Sequence, residues 1–85
     1  MPAIQPVSYR ILVEGVIDPI WFDCLGDMEI TEQRRPGRPV VTQLMGRLVD
    51  QAALQGVIDT LFMLGLGLVF VERLPANSML DGTIH

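Results

Sequence analysis

The chain has 85 residues, a net charge of −4 and six Lys+Arg residues, all of them arginine, so the basic stripe that a nucleic-acid duplex demands is missing and no nucleic-acid partner is expected. One cysteine, Cys24, excludes an intrachain disulfide, and one histidine beside it excludes a cysteine–histidine zinc set. The hydrophobic fraction is 49% and the mean hydropathy +0.39, more apolar surface than one copy of so small a domain buries.

Taken in chain order, the first residues hold Pro2 and Pro6 and read as an extended lead-in. No secretory leader pattern stands in MPAIQPVSYR. A first strand is predicted from Ser8 to Glu14, with Tyr9, Ile11 and Val13 on one face and Arg10, Leu12 and Glu14 on the other. Asp18-Pro19 opens a short helical turn, since aspartate caps well and proline suits the first helical position. That turn, Pro19 to Leu25, brings Trp21, Phe22 and Leu25 close together, and Gly26 ends it.

A second strand is expected from about Met28 to Gln33, with Met28 and Ile30 sharing a face. The Pro36-Gly37 turn follows, and Arg34, Arg35 and Arg38 around it read as a solvated hairpin tip. The third strand runs from Val40 to about Leu48 and has no cleanly polar face. Asp50 then caps a helix carried by Gln51 to Leu64, with Gly65 placed as its C-terminal cap. Leu54, Val57, Ile58, Leu61 and Leu64 form its inward stripe. Gln51, Gln55 and Asp59 mark the opposite side, and Phe62 and Met63 fall on or beside it.

The last strand, Leu66 to Leu74, is apolar on both sides and is expected to be buried on both. The apolar run at 57–71 is too short to cross a bilayer and contains Asp59, so no membrane association and a cytoplasmic location are expected. The reading is therefore a single α+β domain over residues 1–85, with an ordered core at about 8–74 and a flexible tail at 75–85. Its sheet has four strands, mostly antiparallel, with one long helix and one short helical turn. The helical crossover leaves two placements for the last strand. A symmetric homodimer packed sheet to sheet would cover the apolar excess and could enclose a cavity.

No catalytic constellation stands out. Cys24 has Asp23 and Asp27 for neighbours, which oppose thiolate formation, and the one histidine is His85. Asp18, Asp23, Asp27 and Glu29 cluster in sequence, yet Asp18 reads as a cap and Asp27 and Glu29 as surface residues. No metal site and no cofactor are expected. Gly65-Leu66-Gly67 follows a helix C-terminus, where the dipole repels anions, so it is no phosphate loop. What remains is a set of large apolar and soft side chains: Trp21, Phe22, Cys24, Met28, Met45, Phe62, Met63 and Phe70. They suit core and dimer contact, or the lining of a pocket for a hydrophobic small molecule.

Three stretches carry a resemblance: Tyr9-x-Ile11-x-Val13-x-Gly15 with Asp18-Pro19-x-Trp21, then Leu44-x-Gly46-x-Leu48-x-Asp50-Gln51-Ala52-Ala53-Leu54-x-Gly56, then Leu64-Gly65-Leu66. Over roughly 8–74 the chain resembles a family of short, largely uncharacterised bacterial proteins, which implies an α+β fold and supplies no catalytic residues. That resemblance also implies departures: tryptophan is usual where Cys24 stands, small polar residues at Phe22 and Phe70, polar or charged ones at Phe62 and Met63, and proline at Val49 and Gly67. Taken together these imply an engineered variant; natural or redesigned, the chain reads as a dimeric scaffold whose apolar pocket binds a small hydrophobic molecule, with or without transforming it by orientation and desolvation. The alternative is a non-enzymatic interaction or regulatory protein whose apolar surface meets a partner chain. An enzyme built on Cys24 or the acidic cluster ranks below both.

Overall fold

A computed structural model describes residues 7–75 of the chain; the expected lead-in and most of the expected tail lie outside the described residues. The elements are β1 (Val7–Glu14), a short 3-10 helix (Pro19–Leu25), β2 (Glu29–Gln33), β3 (Val41–Leu48), α1 (Gln51–Met63) and β4 (Gly67–Arg73). All four strands join one antiparallel sheet in the order β2-β3-β1-β4. The α+β class and its four strands, one helix and helical turn are as the sequence predicts.

Local chemistry accounts for the boundaries. Asp18 accepts a hydrogen bond from the Ile20 N–H at 3.1 Å, starting the 3-10 helix at Pro19. Asp50 accepts from the Ala53 N–H at 2.8 Å and starts α1. At the other end of α1, the Leu66 N–H donates to the Leu61 carbonyl and the Gly65 N–H to the Phe62 carbonyl. That pair of bonds needs a left-handed residue after the cap, and Gly65 supplies it at φ 78°.

β3 and β4 both run antiparallel to β1, hence parallel to each other with β1 between them. Parallel strands need a crossover of about a dozen residues or more, and α1 is that crossover. The strand placement left open by the sequence is settled against β1. A long apolar strand pairs better with eight-residue β1 than with five-residue, Glu-rich β2.

α1 and the 3-10 helix both cover the same side of the sheet. On this inner face, Ile30, Leu44, Ile11 and Val71 lie in one row across the four strands. The core comprises Tyr9, Ile11, Val13, Ile17, Leu25, Met28, Leu44, Leu48, Val57 and Leu61. Trp21, Phe22, Leu54, Leu64 and Leu66 pack around it. Gly46 sits where a side chain has no room: a Cβ there would lie 3.0 Å from the Met28 Cα and 3.4 Å from the Asp27 carbonyl oxygen. The missing side chain lets the backbone entering β2 pass directly over β3.

One expectation is corrected. β4 is not buried on both faces; it is an edge strand, and Leu68, Val69 and Phe70 are 38%, 48% and 37% exposed. An apolar run is the usual mark of a central strand, and β4 has that run without that position. Here the strand occupies the sheet margin, with one neighbour only.

Candidate functional site

Among the described residues, nothing covers the sheet face turned away from α1. Register defines three rows on it, each read from β2 to β4: Glu29, Met45, Arg10, Glu72; then Thr31, Gln43, Leu12, Phe70; then Gln33, Val41, Glu14, Gly67. Its apolar members are Met45, Leu12, Phe70 and Val41. They form a stripe bordered by charged and amide side chains, so this face is mixed in character and not uniformly apolar.

Arg10 is the centre of its chemistry. Its guanidinium pairs with Glu72 at 2.7 Å and lies over the Phe70 ring, 5.3 Å from the centroid. Both side chains of the ion pair are partly exposed, at 38% and 47%, so the pair is worth at most about 1 kcal/mol. The Arg10 Nε–H, however, is buried and has no acceptor among the described residues. Buried donors are almost always satisfied, so this one stands out among the polar groups of the face. A shallow groove lined by Arg10, Phe70, Val71, Glu72 and Arg73 runs beside it.

The eight candidate residues are dispersed over the fold. Trp21 and Phe22 sit half-buried on the 3-10 helix and pack onto the core, and Met28 is itself a core residue. Cys24 is exposed on the 3-10 helix. Phe62 and Met63 stand out at the end of α1, 58% and 69% exposed. Met45 and Phe70 lie on the uncovered sheet face, in adjacent rows. Phe70 alone among the eight lines the groove. The positions at which the resemblance implies other residues are spread likewise over the 3-10 helix, the β3–α1 corner, the end of α1 and β4.

The acidic cluster does not assemble a site: among the described residues no three of His, Cys, Asp and Glu are placed to hold a metal ion. Asp18 serves as a cap. Arg34, Arg35 and Arg38 are exposed at the β2–β3 turn, where Arg34 pairs with Glu32 at 3.0 Å. Among the described residues no helix is long and apolar enough to cross a membrane. Sequence reasoning missed Arg10, which reads in one dimension as an ordinary outward strand residue. Only the placement of β4 beside β1 brings Phe70 and Glu72 against it.

The most distinctive stretch of sequence turns out to be architectural. In Asp50-Gln51-Ala52-Ala53-Leu54-x-Gly56, Asp50 caps α1, and Gln51 donates from Nε2 to the hydroxyl of buried Tyr9 at 3.2 Å. Ala53 and Leu54 pack against the core. This segment pins the start of α1 to β1.

No curated protein and no solved structure matches the chain. One family does match, over residues 8–72, and is described as a domain of unknown function (DUF8691). The match covers every element but the ends of β1 and β4, and the chain belongs to that family.

Proposed function

We propose that this protein is a homodimeric binding domain that takes up a hydrophobic small molecule on the uncovered sheet face, two copies packing sheet to sheet around it. The observation that carries the reading is the unsatisfied Arg10 Nε–H beside the uncovered Met45, Leu12 and Phe70 stripe. An apolar body would replace water along the stripe. An acceptor oxygen on the ligand would meet Arg10. Binding pockets combine these parts: mostly apolar walls and a few polar groups that orient the ligand. Any reaction there would rest on orientation and desolvation, since no nucleophile–base pair stands on this face.

Titration with an apolar fluorescent dye tests the reading. Trp21 packs on the opposite side of the sheet and reports on folding, so ligand and stability signals separate. Saturable dye binding should be weakened at least tenfold by Phe70→Ser, with Trp21 emission unchanged. Met45→Glu should both weaken binding and reduce the solution mass. Dye uptake indifferent to both substitutions would end the proposal.

The exposure of Phe62 and Met63 favours a second reading, a docking surface for a partner chain at the end of α1. Should Phe62→Ser and Met63→Ser abolish dye binding while Phe70→Ser does not, this reading replaces the first.

A further inference from the structure

The groove at the margin of β4 is more positive than the chain that carries it. Its lining of Arg10, Phe70, Val71, Glu72 and Arg73 encloses about 530 Å³, a volume usual for small-molecule sites. Two guanidiniums therefore stand against one carboxylate, in a protein whose net charge is −4.

Strand register brings these residues together. Arg10 on β1 stands opposite Glu72, and Phe70 lies in the next row of the same face. Val71 and Arg73 alternate to the other face, so the groove follows the free margin of β4 and draws on both sides of it.

The two cations are held differently. Arg73 has no ion-pair partner among the described residues. Arg10 is fixed by two contacts, its guanidinium lying 5.3 Å from the Phe70 ring centroid and donating from Nη2 to Glu72 at 2.7 Å. Nε and Nη2 form a fork that matches both oxygens of a carboxylate. Glu72 takes Nη2 alone, since the Nε–H has no acceptor among the described residues. Its hold is thus partial, and its side chain, 47% exposed, can turn into water.

Charge selects the head of a ligand and the walls select its body. A carboxylate that displaces Glu72 from Arg10 puts one anion in the place of another, with Arg73 on the same groove. A phosphate dianion adds a second negative charge beside Glu72 and in the row of Glu29. A cation meets two arginines. Phe70 and Val71 supply the apolar contact. The groove is shallow, which suits a flat ring packed against Phe70 better than a bulky body.

We propose that the ligand of this face is an aromatic monocarboxylate, bound at Arg10 in the place of Glu72 with Arg73 alongside. This rests on the small-molecule reading of the preceding section and names the class of molecule. Glu72 is then an internal competitor, holding Arg10 until the ligand's carboxylate arrives.

Calorimetric titration with 1-naphthylacetate and with its uncharged amide, 1-naphthylacetamide, tests the proposal, because the two share a ring and differ in charge. The acid should bind about tenfold more tightly than the amide, the size of effect expected when a hydrogen bond gains a charge. Arg10→Gln should remove that preference and Arg73→Gln reduce it, with circular dichroism as the check on folding. Glu72→Gln should tighten the acid about two- to fivefold, the worth of an exposed ion pair, and leave the amide unchanged. Should Arg10→Gln fail to fold, Arg73→Gln decides, and an unchanged preference there overturns the proposal. Weaker binding of the acid to folded Glu72→Gln overturns it as well. Equal affinities for acid and amide, both lowered by Phe70→Ser, would sink the carboxylate and leave the small-molecule reading standing. The same follows if the apolar dye binds and neither naphthyl compound does. If the dye also fails to bind, both fall.

Discussion

Thr42 is fully buried and donates its hydroxyl to the Gly15 carbonyl at 2.6 Å, while the Gly15 N–H donates to the Val40 carbonyl. These two bonds close the chain reversal after β1 onto β3. Thr42→Val keeps the volume and leaves that carbonyl without its donor, so urea unfolding should show a loss of about 1–2 kcal/mol. Two glycines make a matched contrast. At Gly46 a methyl group meets the Met28 backbone, and Gly46→Ala should destabilise by about 1–3 kcal/mol. At Gly56, on the exposed side of α1, nothing lies within 4 Å of the added carbon. Gly56→Ala should therefore stabilise by about 0.5–1 kcal/mol through helix propensity alone. Equal effects at the two positions would contradict the backbone approach seen at Gly46.

At the scale of elements, α1 was the most legible part of the chain. Asp50, the Leu54, Val57, Ile58, Leu61 and Leu64 stripe and Gly65 each carry a local signal, and the helix follows them within a residue. Removing the cap with Asp50→Ala should cost about 1 kcal/mol, read as a lower midpoint in thermal melts followed by circular dichroism. The 3-10 helix is equally local, set by Asp18, Pro19 and Gly26. β4 was legible as a strand and illegible in its environment. Leu68, Val69 and Phe70 look like core residues in a list, and only the strand order makes them an edge.

At the scale of the whole molecule, the arrangement of layers among the described residues decides which surfaces are left open. One helix and one helical turn cover a single face of a four-stranded sheet, and the second face carries a stripe that includes Met45, Leu12 and Phe70. Of the eight residues picked from sequence as pocket lining, Met45 and Phe70 reach that face, Met28 enters the core, and Phe62 and Met63 stand on the far end of α1. Side-chain type alone could not sort them, because methionine and phenylalanine serve core, interface and pocket alike. The dye titration and the mass measurements proposed above address these surfaces separately. On the open face, Phe70→Ser is read by dye affinity and Met45→Glu by dye affinity and solution mass together.

By itself the sequence determined the α+β class, the four strands, the helix and the helical turn, with their caps and turns. These depend on interactions between residues close along the chain: a cap reaches three positions, a helical stripe four, a strand face two. The tertiary structure alone decided that β4 lies against β1, that Gly46 admits the β2 backbone, and that Arg10 meets Phe70 and Glu72 with its Nε–H unsatisfied. Those relations join residues dozens of positions apart. They follow from which edge of the sheet the helical crossover delivers β4 to, and no local preference encodes that choice.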